Sequence, residues 1–351
     1  MRILYGLSAD GLGHAMRARV IAAHLSAQGH DVRLATSGRP AALLRRHGFS
    51  VVDVGGLSTH YEGGKVRRRE TAWRALRDMP GRVRRNVRVL CEQAEAFAPE
   101  LVLTDFSGFA CALGHALDLP MVSIDHQHVV DRFHHPWRVV GGFAVDFVLA
   151  RAVVRAKTPR CHRYIVTSFF FPAARDERAT TLVGPVMRPE VERLNPTVAD
   201  HVVVYQTAGG DPSLIPALRA VHGVPFHVYG HGSSGSTGNV TLRRFDEASF
   251  LDDLASARAV IANGGFTAIS EALYFGKPVL SIPVPGQAEQ QLNAAWLEHL
   301  GLGQHVQRLD GASVRGFLER LPSLQSSCDV RLRSGTRDAL CEVDRALAEV
   351  A

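Results

Sequence analysis

Five short stretches put polar side chains where an apolar run gives way to a helical one, a position from which they can act on a ligand. In ANGGFTAISEALYFGKPVL (262–280), Gly264 and Gly265 follow the apolar run 259–261 and precede Thr267 and Glu271. A helix N-terminus offers unpaired N–H groups and the positive end of its dipole, so it attracts phosphate. Glycines there let a ligand approach the backbone. Thr267 and Glu271 stand four apart, so they share a helical face about 6 Å apart along the axis. A hydroxyl beside two phosphates and a carboxylate one turn on suit a diphosphate and the vicinal diol of a ribose, because an ionised carboxylate only accepts. The stretch reads equally as a plain strand–turn–helix junction with Glu271 in solvent. PVPGQAEQQLNA (283–294) then supplies Glu289 and Gln290 at the start of another helix, where they can hold sugar hydroxyls.

Nearer the N-terminus, SADGLGHAMR carries Gly13 and His14, LTDFSGFA carries Asp105, and SIDHQH carries Asp125, His126, Gln127 and His128. The first is not a dinucleotide fingerprint: Met16 stands at the third glycine position, and no acidic residue closes the second strand at the usual offset. The SIDHQH cluster has a metal-like composition, but His126 and His128 alternate faces if the strand continues.

The elements that must position these residues form two series. Strand-like runs at 3–7, 31–35, 50–54, 101–104, 121–124 and 164–167 mostly alternate with helical stretches, the first helix spanning 16–27 and ending at Gly29. A second series runs through 201–205, followed by Gly209-Gly210, then 226–229, 241–245, 259–262 and 278–282. Apolar runs without strict polar alternation suit parallel sheets covered on both faces. The stretch 184–196 has three prolines and no periodicity, which marks a linker. The expectation is an α/β protein of two doubly wound, Rossmann-like domains facing a central cleft, over 1–186 and 187–332. A closing helix in 333–351 is expected to pack back toward the first domain.

At 351 residues the chain is long enough for two cores. Its 46% hydrophobic and 21% charged residues are those of a soluble globular protein. No signal peptide is expected, since Met1-Arg2 leads directly into a strand. The apolar stretch 139–154 is broken by Asp146 and Arg151, too often to span a bilayer. Five scattered cysteines, none in a CxxC pair, argue against disulfides and zinc and for the cytoplasm.

The C-terminal pattern resembles that of the inverting nucleotide-sugar glycosyltransferases of the GT-B fold. These include the transferases that add N-acetylglucosamine to a peptidoglycan precursor and the UDP-glycosyltransferase superfamily. The shared elements are a glycine-initiated helix bearing Glu271, a strand, Glu289-Gln290, and Asn293-Ala294. The resemblance implies that Gly264, Gly265 and Thr267 hold the diphosphate of a UDP- or dTDP-sugar, Glu271 the ribose, and Glu289 and Gln290 the donor sugar. Gly209 and Gly210 would join the donor side. ASFLDDLASARAVIAN matches the base-binding turn, placing Phe250 and Leu251 beside the nucleobase. Asn263 stands where many natural-product glucosyltransferases have a His that touches phosphate. It also stands where retaining families have a Glu, which implies inversion.

In the similar transferases a Gly-His begins the first helix and faces the cleft, which makes His14 the candidate general base for an acceptor hydroxyl. Asp105 would orient that imidazole and stabilise its charged form. Gly13, Asp125, His126, His60 and Tyr61 are expected to line the acceptor side. The rival readings are a nucleotide-sugar epimerase of the same fold and a non-catalytic protein binding anions or nucleic acid.

That last rival rests on 65–88, where ten cations face only Glu70 and Asp78, a balance of +8 in a chain of net charge +6. The segment reads as a solvated face in an arginine-biased chain, or as contact with an anionic membrane or a phosphate-bearing acceptor. No aromatic interleaving supports nucleic acid. The location implied is the cytoplasm, at the inner face of the membrane if the second reading holds. No cofactor is expected, the nucleotide-sugar being a substrate. No metal is expected either, since no two aspartates are separated by a single residue. Transfer should therefore run undiminished in excess chelator; a strict need for added magnesium or manganese would refute metal independence.

Overall fold

The computed structural model describes residues 1–55, 61–62, 65–66, 81, 85–86, 88–89, 91–206, 212–328 and 332–350. His60, Gly209, Gly210 and most of the basic segment lie outside the described residues. Tyr61 is described as backbone only, in strand β4 (Tyr61–Glu62), which pairs antiparallel with β5 (Lys65–Val66).

Two seven-stranded sheets carry the fold. The first contains β1 (Arg2–Leu7), β2 (Asp31–Thr36), β3 (Val51–Asp53), β6 (Leu101–Asp105), β7 (Met121–Asp125), β8 (Arg163–Thr167) and β9 (Thr180–Val183). Their order is β3-β2-β1-β6-β7-β8-β9, and every neighbouring pair is parallel. The second contains β10 (Val202–Tyr205), β11 (Phe226–Tyr229), β12 (Gly235–Thr237), β13 (Val240–Arg243), β14 (Ala259–Ala262), β15 (Val279–Ser281) and β16 (Gly303–His305). Its order is β12-β13-β11-β10-β14-β15-β16, and only β12 runs antiparallel to its neighbour.

Burial on both faces explains the unbroken apolar runs. Along β1, Ile3, Tyr5 and Leu7 enter one cluster and Leu4 another. Along β14, Ala259 and Ile261 face one core while Val260 and Ala262 face the other. Period-two alternation therefore delivers apolar groups to two covered faces. The strands not expected from sequence are short and at or near sheet edges. β16 reads Gly-Gln-His and β12 Gly-Ser-Thr, with no apolar pattern to announce them. The linker also holds a short helix, Pro189–Arg193, whose proline sits in the first turn where no amide partner is lost.

The chain crosses between the sheets twice at one place. Gly335 donates its N–H to the Pro185 carbonyl at 2.9 Å. A Cβ on Gly335 would lie 2.2 Å from the Gly184 carbonyl carbon, so the two crossings touch backbone to backbone. Beyond them, helix Thr336–Ala348 buries Ala339, Val343, Ala346 and Leu347 in the core of the first sheet.

Side chains from both halves close the seam. The Phe170 and Trp296 rings stack at 4.9 Å. Trp296 Nε1 donates to His135 Nδ1 at 3.0 Å, while His135 Nε2 meets the Val129 carbonyl at 2.8 Å. That pairing needs a neutral imidazole. Burial, reinforced by Arg175, His134 and Arg151, pushes His135 down to about 4. Folding thus favours the uncharged form. The stabilisation is complete above the ordinary histidine value of about 6.5 and is lost as pH falls toward 4. His135→Gln keeps an acceptor and a donor without titrating. Between pH 7 and pH 5 the native protein should lose about 2 kcal/mol more stability than this variant, read as a steeper fall in Tm; equal slopes would refute the assignment.

Candidate active site

The first element of the candidate site grows from the point where the strand order reverses. In the first sheet this is β1/β6, with Leu7 in register with Asp105. Ligands of open α/β sheets bind beyond the strand ends at such a switch point. Helix Gly13–Ala27 begins there, with His14 and Arg17 one turn apart on the face toward Asp105. His14 Nδ1 lies 2.7 Å from Asp105 Oδ1. Arg17 grips the same carboxylate, Nε to Oδ2 at 2.9 Å and an Nη to Oδ1 at 2.8 Å. Asp105 has no exposed surface.

With Nδ1–H committed to a carboxylate, the basic lone pair of neutral His14 is on Nε2. That nitrogen faces the Gln127 amide at 3.4 Å, and the amide donates to Glu289 Oε2 at 3.2 Å, across the seam. Burial alone would lower the Arg17 pKa, but Asp105 outweighs it and raises it above the ordinary value. Arg17 therefore stays charged and fixes the plane of the carboxylate that orients His14. Sequence reasoning missed Arg17, although its i+3 spacing from His14 is the available signal.

The opposing element rises from the switch point of the second sheet, β10/β14. Ala262 ends β14, Asn263 and Gly264 turn, and helix Phe266–Tyr274 starts at Gly265, which caps it without any side-chain hydrogen bond. A Cβ on Gly264 would lie 2.4 Å from the Gln290 carbonyl, so only glycine fits. Asn293 Nδ2 donates to the Gly264 carbonyl at 3.0 Å and holds the turn. The Asn263 amide donates to the Ile282 carbonyl at 3.1 Å, tying the ends of two strands together. Gln290 Oε1 accepts from the Val284 N–H at 3.0 Å, and Glu289 reaches toward the first domain through Gln127. The two helix starts meet: a Cβ on Gly13 would lie 2.5 Å from Thr267 Oγ1. Between them a space of about 10 Å³, lined by Gly13, Thr267, Glu271 and Arg188 among others, holds roughly one water.

Several expectations need correction. Glu271 is not in solvent. It is 3% exposed and pairs bidentately with Arg188 at 2.9 and 2.8 Å, and Arg188 also meets Glu247 at 2.6 Å. Burial alone would lower the Arg188 pKa, but the two glutamates raise it above its ordinary value. Phe250 and Leu251 are core residues, 3% and 2% exposed, because helix Glu247–Ser256, capped by Asp246, turns that face inward. The accessible aromatic is Phe245, 39% exposed and 5.5 Å from Phe250. Asp125 does not line an acceptor pocket. It is fully buried and accepts from Ser123 Oγ and from His128 N and Nδ1. Its burial would raise it, yet His128 holds it well below the carboxylate range. His126 is likewise sealed, stacked on Phe266 at 3.9 Å and bonded to the Thr167 carbonyl and Asn293 at 2.7 Å each. β7 ends at Asp125, so His126 joins the domains rather than facing an acceptor.

Among the described residues one group, His201, His227 and Asp253, could present three metal ligands within 4.8 Å of one another. Its first member immediately precedes β10, at the N-terminal end of that strand and so at the opposite end from the switch-point cleft. Arg243 already sits 2.9 Å from Asp253 Oδ2. The group is an ion-paired cluster away from the seam.

Two mainly parallel, doubly wound α/β sheets whose switch points meet at one seam match the GT-B fold. The family model for glycosyl transferase family 1 matches residues 1–322, and the chain belongs to that family. It is 23% identical over 340 residues to an uncharacterized glycosyltransferase of Methanosarcina acetivorans, covering 87% of this chain and 85% of that one. It is 27% identical over 161 residues (38% of this chain, 39% of the other) to the UDP-N-acetylglucosamine–N-acetylmuramyl-(pentapeptide) pyrophosphoryl-undecaprenol N-acetylglucosamine transferase of Clostridioides difficile. The calicheamicin glycosyltransferase CalG4 shares the fold, with a TM-score of 0.66 at 23% identity over 100% of this chain and 99% of that one.

Removing Arg188 leaves Glu271 buried without its cation. Arg188→Ala should cost about 3–5 kcal/mol, seen as a large drop in Tm, and Glu271→Gln in the same chain should recover part of it. A drop no larger than that of a surface arginine would refute the pairing.

Proposed function

We propose that the chain moves a sugar from a nucleoside diphosphate donor, UDP- or dTDP-linked, to an acceptor hydroxyl by single displacement with inversion at the anomeric carbon. The observation that carries the reading is the His14–Asp105 pair lying directly across the seam from the uncapped helix start at Gly265. As the acceptor oxygen attacks the anomeric carbon, its proton passes to His14 Nε2. The bond to the diphosphate oxygen breaks, and its electron pair leaves with the nucleotide. Asp105 stabilises the imidazolium that results. The N–H groups of the first turn at Phe266 and the hydroxyl of Thr267 receive the charge that develops on the diphosphate, in place of a metal ion.

Glu271 can still hold a ribose. Two carboxylate oxygens offer about four acceptor positions, and Arg188 uses one on each. Phe245 is the accessible aromatic for the base, and Glu289 and Gln290 lie nearest the sugar. A space for about one water does not admit a nucleotide, so entry requires the domains to part, with the touching crossings at Gly184 and Gly335 as the hinge. The acceptor is a small molecule or a lipid-linked alcohol, and the place of action is the cytoplasm.

Nucleoside diphosphates that bind the folded form should raise Tm, UDP or dTDP more than GDP. His14→Ala should lower turnover by about 10²–10⁴-fold while leaving that shift intact. Full activity in the variant would remove His14 as the base. A retained anomer would overturn inversion, and isomerised sugar without transfer would favour an epimerase. The absence of any nucleotide-induced shift would favour a non-catalytic role.

A further inference from the structure

Helix Ala144–Lys157 turns its apolar side outward. Val145, Val148, Leu149, Ala152, Val153 and Ala156 are all exposed, and at 100° per residue they fall within an arc of about 140°. Val145 is 76% exposed and Val148 64%, whereas Phe147 and Val154, on the opposite side, are buried. Trp137 extends the patch at 73% exposure, lying so close over Gly141 that a Cβ there would meet the indole at 2.9 Å. A globular protein ordinarily hides such a stripe, and a contiguous exposed one marks an interaction surface. The helix is also the segment that is too interrupted by charge to cross a bilayer.

Charge indicates what covers it. Arg151 and Arg155 flank one side of the stripe and Asp146 the other, Arg155 lying 3.6 Å from Asp131, while Arg138 stands next to Trp137 and meets His299 at 3.0 Å. At its C-terminal end the helix borders a cavity of about 330 Å³ lined by Arg132, Arg155, Arg160 and Arg175, with Asp131 and Asp176 as its acids. The Arg132 guanidinium lies 3.4 Å above the Tyr164 ring, and its Nε is buried without a hydrogen-bond partner. Arg160 holds a left-handed backbone, φ 56°, which arginine rarely adopts. A two-fold contact between copies of this chain would set arginine rim against arginine rim, whereas an anionic surface pairs with it.

We propose that this face docks on an anionic phospholipid bilayer, the stripe and Trp137 entering the boundary between headgroups and acyl chains and the arginine cavity taking a lipid phosphate. Surface helices of this kind bind through buried apolar area plus attraction to anionic lipid. The proposal is independent of the donor site, and its measurement needs no nucleotide.

The test is flotation with vesicles of equimolar phosphatidylglycerol and phosphatidylcholine, and with phosphatidylcholine alone. The native chain should float with the first and much less with the second. Val148→Glu with Leu149→Glu should lower partitioning at least about tenfold. Arg160→Gly, which removes one cation and suits the backbone, should lower it about fivefold. Unchanged melting and circular dichroism would show that each variant folds. Three results would overturn the proposal. One is flotation that survives the double variant but is lost on replacing Arg67, Arg68 and Arg69 by Ser, placing the contact in the basic segment. Another is no flotation, with inorganic phosphate raising the Tm of the native chain but not of Arg160→Gly, which would leave a site for free anions. The third is no flotation, with a dimer in gel filtration that the double variant dissolves.

Discussion

A fully buried carboxylate must be paired, and Asp105 meets that demand with two partners from one helix. Arg17 neutralises it and His14 accepts its orientation. Because Arg17 and His14 lie one turn apart, the demand also fixes the rotation and height of the first helix over β6. The His14 imidazole is thereby aimed by the same interaction that holds the helix on the sheet. Its free nitrogen points at Gln127 and, through it, at Glu289 of the other domain.

The seam between the domains repeats this logic at larger scale. Glu271 and Arg188, His126 and Asn293, and His135 and Trp296 each join a group from the second half to one from the first half or the crossing between them. All are partly or fully removed from water, where a satisfied polar pair fixes geometry strictly and an unsatisfied one is costly. Two helix starts are thus brought close enough that Gly13 has no room for a side chain. The backbone contact of Gly184 with Gly335 puts both covalent connections on one axis, the arrangement a hinge needs.

How legible this was depended on range. The doubly wound sheets could be read in advance because their central strands bury both faces and so advertise themselves as apolar runs. The turn at Gly264-Gly265 was legible because two glycines follow an apolar run and precede a helical one; the structure adds that a Cβ on Gly264 would clash with the Gln290 carbonyl. Short strands such as β12 and β16 were not, since their few side chains carry no periodic signal. Phe250 was misread because its surroundings depend on which face of helix Glu247–Ser256 turns inward. The outward stripe on helix Ala144–Lys157 was hidden for the same reason: residue types show a periodic pattern but not which side meets the core.

The sequence by itself determined the α/β architecture of two doubly wound halves and the glycine-led helix start, while the His14–Asp105 pair was expected only from the family resemblance. The architecture and the helix start follow from local backbone preferences and from apolar spacing, which are properties of neighbours along the chain. Only the tertiary structure decided that Asp105 is shared with Arg17, that Glu271 is committed to Arg188, and that Asp125 and His126 are sealed structural groups. A charged or polar side chain takes its role from whatever partner long-range packing brings within about 3 Å, and that partner is not written beside it.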